Sequence, residues 1–358
     1  MTALAREIAR RYGTPAVVID LDRVERNIAR LQAACDAAGV ANRPHIKTHK
    51  SPMIAQMQRE AGAKGITCQK VGEAEVMAEA GFDDILISYN ILGEEKLARL
   101  GAVMRRADVT VAADNPVTVA GLPHAAAVAE RPLGVVVECD TGRKRAGVET
   151  VAEAVQLAKD IASRPGLEFR GFMLYPPEDG ISETQAFLDE ALAGVREAGL
   201  EPTMISSGGT PNLRNLGALT GVTEHRAGTY IFNDRMMLAC GAATPDDLAL
   251  HVVATVVSRA GPDRGILDAG SKTLTSDIGN LDGHGLILEH PQARIARFAE
   301  EHGFLDLSAC NDRPNVGDVV RIVPNHVCVV VNMVDRLIAT RGDEIVGEIP
   351  VAARGRIS

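Results

Sequence analysis

The sequence contains no tryptophan, and aromatic residues fill only 3% of its 358 positions. Its core must therefore be built mainly from Ala, Val, Leu and Ile. It also lacks a basic surplus. The formal net charge is -9 and the isoelectric point is near 5.6, which argues against nucleic acid or an anionic membrane as the main partner. A local basic pocket for one phosphate is still compatible with that balance. No window approaches eighteen uninterrupted apolar residues, so no transmembrane helix is expected. The six cysteines, at 35, 68, 139, 240, 310 and 328, show no paired spacing. That pattern fits reduced thiols in a cytoplasmic protein better than a disulfide framework. No apolar run follows a basic start at Met1-Thr-Ala-Leu-Ala-Arg-Glu, so no secretory leader is expected.

What is present is ordinary globular material, 46% hydrophobic and 24% charged. The length allows one large domain or two of ordinary size. Strand-like and helix-like stretches alternate from the start. Residues 14-20 read as a strand and 21-39 as a helix, with Val24, Ile28, Leu31, Ala34 and Cys35 at helical spacing. From Arg43 onward, eight short apolar strands alternate with helices up to about residue 226. The pattern predicts an α/β fold, a (β/α)8 barrel rather than an open doubly wound sheet. After about 235 the texture becomes strand-like, with segments at 250-258, 264-268, 318-323, 326-333, 336-340 and 344-350 separated by Gly, Asp, Asn and Pro. The domains expected are a barrel over 1-235 and a mainly β domain over 236-358, with residues 14-20 a candidate to pair with the β domain. No solenoid repeat or low-complexity linker is visible.

Three constellations carry chemistry. Arg43-Pro-His-Ile-Lys-Thr-His-Lys50 brings Lys47 to the end of the first barrel strand, where such barrels keep their reactive groups. A partly desolvated lysine amine there can hold an aldehyde cofactor as a Schiff base; a surface loop with two lysines and two histidines is the alternative. Ser206-Ser-Gly-Gly-Thr-Pro211 and Gly228-Thr-Tyr230 follow the last two strands, where backbone N–H groups and hydroxyls can close around a phosphate. A tight turn is the plainer explanation for a Gly-Gly pair. His326-Val-Cys328, placed on a strand, would point imidazole and thiol the same way toward a soft or borderline metal such as zinc. A buried cysteine beside a core histidine explains the same spacing. Arg145, Tyr175 and Gln69 lie near strand ends and could reach the same mouth; a solvated arginine cluster and a tyrosine that only covers the barrel rim are the alternatives.

Together these segments resemble the fold-type III pyridoxal phosphate enzymes, in the branch containing D-threonine aldolase and D-serine dehydratase. The resemblance covers nearly the whole chain. It rests on residues 14-22, 43-50, Cys68-Gln-Lys-Val-Gly-Glu-Ala74, 142-148, Gly208-Gly-Thr-Pro211, Gly228-Thr-Tyr-Ile-Phe232, Ile266-Leu-Asp-Ala-Gly270 and Pro324-Asn-His-Val-Cys328. It implies an alanine racemase-like barrel, Lys47 as the Schiff-base lysine, Arg145 and Gln69 as cofactor contacts, and Tyr175 beside the reacting substrate. Ser207, Gly208, Gly209, Thr210 and Tyr230 would bind the phosphate. His326 and Cys328 would bind a divalent metal, zinc or manganese, with magnesium a further option.

A homodimer with its active site near the interface, and a D-β-hydroxy amino acid as substrate, are further implications. The chain departs from the aldolases in two places. Those usually offer His-x-Asp to the metal where this chain has His326-x-Cys328, as in the dehydratases. They also carry a His after the tyrosine, where this chain has Pro176-Pro-Glu178. Retro-aldol cleavage to glycine and an aldehyde is the first reading and dehydration of D-serine or D-3-hydroxyaspartate the second. An amino-acid racemase and a non-catalytic pyridoxal phosphate carrier are the rivals from other classes.

Overall fold

A computed structural model describes residues 2-358, which divide into two compact units. One unit spans Arg30–Lys47 and Ile54–Gly228 and ends with Arg356–Ser358. Its sheet has eight strands, Ala41–Asn42, Ile66–Cys68, Asp84–Ile87, Asp108–Ala113, Leu133–Cys139, Leu167–Leu174, Met204–Ser207 and Glu224–His225. Every neighbouring pair is parallel. Ala41–Asn42 and Ile66–Cys68 are the two ends of the strand order, and a parallel bridge from His45 to Thr67 joins them.

Parallel strands are connected through helices, which here cover the outer face. Ile85, Val109, Val111, Val135, Val137, Phe172 and Leu174 pack outward in one core with Leu97, Leu100, Leu157, Ile161 and Leu188 of those helices. Leu86, Ala112, Val136, Met173 and Met204 form a separate cluster on the inner face. At the amino ends of the strands, buried Arg43 is held by Glu224 at 2.7 Å and Asp84 at 2.6 Å, while Arg170 donates to Asp108 at 2.8 Å. This end is tied together by ion pairs, as suits the stabilising end of such a fold.

The second unit holds the segment ending at Ala29, Thr48–Met53 and Thr229–Gly355. Its nine strands form a mixed sheet. Ala16–Asp20 runs antiparallel to Leu250–Arg259 and parallel to Arg336–Arg341, so it has a partner on each edge. The helix Ala3–Tyr12 lays Ala5 and Ile8 against Val18, Val253 and Ile338. The chain up to Ala29 therefore belongs with the β unit, and the barrel segment does not begin at residue 1 as the sequence reading placed it. The crossover falls at Thr229 rather than 235.

Two further differences matter. The strands Gly285–Ile287, Arg294–Phe298 and Gly303–Asp306 were not foreseen, because each is short and interrupted by Gly, by charge or by both. The expected strand over 326-333 is instead a helix, Val327–Asn332, with His326 as its N-cap. Its valines favour strands intrinsically. The buried set Val327, Val330 and Val331 nevertheless has the i, i+3, i+4 spacing of one helix face. No helix among the described residues is long and apolar enough to cross a membrane.

Candidate active site

Alternation along the parallel strands decides what reaches their carboxyl ends. Leu86 lies on the inner face, so Ser88 continues that face, and the same two-residue step leads from Ala112 to Asp114, Val136 to Glu138, Met173 to Tyr175 and Met204 to Ser206. Thr67 leads to Gln69 and Glu224 to Arg226, and His45, bridged to Thr67, comes two residues before Lys47. These residues are far apart in sequence, yet one ring of carboxyl ends collects them.

Lys47 sits in a 3-10 turn, Ile46–Thr48, rather than at the end of a strand as expected. Its backbone N–H turns back to His45 Nδ1 at 3.3 Å instead of joining a ladder. His45 Nε2 lies 3.1 Å from Gln69 Oε1 and 3.3 Å from Ser88 Oγ, and Gln69 also donates to the Ser88 carbonyl at 3.0 Å. Gln69 thus braces the histidine two residues before the lysine.

Across the ring, Tyr175 is flanked by two guanidinium groups, Arg143 at 4.2 Å and Arg145 at 5.3 Å from the ring centroid. Arg143 pairs with Glu178 at 2.9 Å and donates to the Pro176 carbonyl, so Glu178 is engaged by a cation. Arg145 is mostly exposed, 3.9 Å from Glu138. Burial raises the Tyr175 hydroxyl above its ordinary value, with Arg143 opposing, and burial likewise raises the Glu138 carboxyl, with Arg145 and Arg226 opposing.

Gly208 has φ +87°, and any Cβ there would run into the His225 imidazole. At Gly209 a Cβ would lie 2.6 Å from the Tyr175 ring. Both positions need glycine for close approach. His225 is neutral, its pKa pushed down to about 4 by burial with Arg226 adding, while its hydrogen bond to the Gly209 backbone opposes; its Nε2 has no partner among the described residues. Buried Thr210 opens the 3-10 turn Thr210–Asn215, and Ser207 sits beside His225 in register. A loop of closely approached glycines with flanking hydroxyls suits a phosphate.

Sequence reasoning missed Arg226. It is buried, with Nη1 on Ser206 Oγ at 2.7 Å and Nη2 on the Leu174 carbonyl at 2.9 Å. Burial pulls its pKa down while Glu224 and Glu138 oppose. The two-residue step from Glu224 was the available signal.

Within the β unit, Tyr230 is buried in the 3-10 turn Thr229–Ile231. His326 and Cys328 come together although they do not share a strand. His326 is the extended N-cap and Cys328 lies in the first helical turn, where imidazole and sulfur hydrogen-bond. Asp234, fully buried, accepts from His326 Nδ1 at 3.0 Å and from the Val327 N–H at 3.1 Å. Thr48 Oγ1 lies 3.2 Å from Cys328 Sγ. Burial alone would lower the His326 pKa, but Cys328 and Asp234 push it up to about 11. Among the described residues no three His, Cys, Asp or Glu side chains cluster as a ligand set. His326 and Cys328 are each held by an outer partner, and with Nδ1 bonded to Asp234 the ring nitrogen left to serve a metal would be Nε2.

Eight parallel strands with a lysine at their carboxyl ends, joined to a mainly β unit, define the alanine racemase-like class of fold. The chain belongs to the fold-type III pyridoxal phosphate enzymes of the D-threonine aldolase and D-serine dehydratase family: residues 19-236 match the alanine racemase N-terminal domain and residues 249-340 the serine dehydratase domain. It is 36% identical to D-threonine aldolase of Arthrobacter sp over 96% of this chain and 93% of that protein. It is 34% identical to D-threo-3-hydroxyaspartate dehydratase of Delftia sp. (strain HT23), over 88% and 90%. Among solved structures, D-threonine aldolase from Filomicrobium marinum superposes with a TM-score of 0.89 at 32% identity, covering 96% of each chain.

Proposed function

We propose that the chain is a pyridoxal phosphate- and divalent-metal-dependent lyase on D-β-hydroxy-α-amino acids, cleaving between Cα and Cβ to give glycine and an aldehyde. The single observation that carries the cofactor half is Lys47 in the turn just after the His45–Thr67 bridge, on a sheet that we take as a closed (β/α)8 barrel whose carboxyl ends also carry Tyr175 and Arg226. The cofactor fits the residues present. Lys47 would hold it covalently, Ser207, Gly208, Gly209, Thr210 and Tyr230 would bind its phosphate, and Gln69, Arg145 and Arg226 would fix its ring. Once bound, pyridoxal phosphate supplies a sink for the electron pair released at Cα.

The protein's own groups do the rest. Tyr175, pinned between Arg143 and Gly209, shapes the wall beside the substrate. Lys47 Nζ is the group to carry a proton at Cα. His326 and Cys328 would hold the metal, with Asp234 fixing the imidazole, and a divalent ion there would polarise the substrate's β-hydroxyl. Zinc suits a thiolate and an imidazole; manganese and magnesium are the harder options. Metal binding in the group is supported by a solved D-threo-3-hydroxyaspartate dehydratase described in a metal-free form. We further propose a cytoplasmic homodimer, on the family resemblance.

One observation favours a second reading. The thiolate donor at 328, in place of a carboxylate, resembles the dehydratases, in which Lys47 would remove the α-proton and the β-hydroxyl would leave. Incubating holoenzyme with D-threonine and with D-serine, with and without chelator, and identifying products separates the two. Glycine and acetaldehyde from D-threonine support the aldolase. 2-Oxobutanoate and ammonia overturn it in favour of the dehydratase. Loss of optical rotation without cleavage, unaffected by chelator, overturns both in favour of a racemase.

A further inference from the structure

The β unit contains a cavity of about 400 Å³ that uses none of the residues assigned to cofactor or metal. It lies where the first turn of the helix Ala3–Tyr12 meets the exposed continuation of the sheet face, and the turn Pro245–Asp247 closes one side. Its volume is that of a small-molecule site. Its walls divide by chemistry. Leu238, Leu248, Leu250, Leu286, Leu288 and Val323 give it an apolar body, and Arg23, His251 and Arg321 give it a polar end.

The polar end has donors to spare. Arg321 spends Nε on Glu289 at 2.7 Å, and neither Nη atom donates a hydrogen bond among the described residues. Arg23 places Nε 3.2 Å from Asp20 and Nη1 on two backbone carbonyls at 3.1 Å, leaving Nη2 with no bond among the described residues. The His251 imidazole makes none among the described residues. Burial, with Arg321 and then Arg23 adding against Glu289, holds its pKa down to about 4, so both guanidinium groups are felt at the ring. Asp20 and Glu289 are already paired, and Asp246 and Asp343 stand at the solvent rim. Unbonded donors lining one half-buried cavity favour an anion, whose oxygens can accept from several of them at once. A bare inorganic anion would leave the leucine wall wet.

We propose that this cavity binds a small organic carboxylate, its head received by Arg321, Arg23 and His251 and its apolar body laid against Leu286, Leu288 and Val323. Isothermal titration of the full-length holoenzyme with sodium hexanoate tests this, with inorganic phosphate and hexan-1-ol as comparators. Hexanoate should bind once per chain and at least tenfold more tightly than either comparator. Arg321→Gln should weaken it at least tenfold. Leu286→Trp, which fills the apolar end, should abolish it with the thermal midpoint retained, and Lys47→Ala should leave it unchanged. Equal binding of hexan-1-ol would reduce the site to an unselective apolar hole, and equal binding of phosphate would remove the role of the apolar wall. Loss of the signal in Lys47→Ala would move the probe to the parallel unit, and absence of heat with wild-type protein would dispose of the site. The wild-type comparisons decide the matter even where a variant fails to fold.

Discussion

Replacing Asp234 by Asn isolates the contact that orients the proposed metal donors. The carboxylate is fully buried and does three things at once. Oδ1 caps the helix Arg235–Ala239 by accepting the Met237 N–H at 3.0 Å, while Oδ2 accepts from both His326 Nδ1 and the Val327 N–H. Asparagine keeps the first bond but presents an NH2 group to two donors, or turns over and loses the cap. At least one buried donor is then unpaired, which costs about 1–3 kcal/mol. The imidazole also loses the partner that fixes its ring and tautomer, and loss of such an outer partner typically lowers metal affinity about 10–100-fold. That corresponds to roughly 1.4–2.8 kcal/mol. Metal content after dialysis against buffered zinc, read by plasma mass spectrometry, should fall in Asp234→Asn while the visible cofactor band persists. If the variant melts lower yet holds zinc as tightly as wild type, Asp234 is a helix cap alone and the reasoning about His326 fails.

Lys47→Ala should remove the visible Schiff-base absorbance without unfolding the protein, and a retained band would end the cofactor assignment. Cys328→Ala should lower metal content and β-carbon chemistry while leaving that band; loss of both together would point to a folding role for the thiol instead. For acid stability, His225 is neutral in the fold with a pKa near 4 against 6.5 for the ordinary residue. Between those values the unfolded chain takes up a proton that the folded chain refuses, so stability falls as pH drops from 6.5 toward 4, by up to roughly 3 kcal/mol. Urea titrations at pH 7.5 and 4.5 should show a smaller acid loss in His225→Asn, whose amide NH2 can still donate to the Gly209 backbone; an unchanged loss would assign the acid limb to other groups. Arg43→Ala would leave Glu224 buried without its cation and should cost about 3–5 kcal/mol, measurable by the same titration.

The family and the α/β alternation were legible because they are written locally. Short apolar strands, helical spacing such as Val24–Ile28–Leu31, and the motifs around Lys47 and Gly208 need no knowledge of distant partners. The choice between strand and helix at 326-333 was harder. The run Val327-Cys-Val-Val-Val331 fits both periods over so short a span, and the structure made it a helix around an N-cap fixed from Asp234, 92 positions earlier. The N-terminal strand joined the β unit for a similar reason, since its edges are satisfied only by strands more than two hundred residues away. Arg226 was hidden because an arginine after Thr223-Glu-His225 reads as surface until the inner and outer faces of the sheet are known.

By itself, then, the sequence carried most of the order of elements and named the candidate reactive types, a lysine proposed for an aldehyde and an imidazole–thiol pair proposed for a metal, because side-chain chemistry and short-range periodicity are properties of the chain. Tertiary structure decided which groups share an environment. Gln69 braces His45, Glu178 is spent on Arg143, Asp234 holds His326, and Arg321, Arg23 and His251 converge on one cavity. Hydrogen bonding and desolvation act over a few ångströms in space regardless of separation along the chain, so only the folded arrangement could determine those pairings.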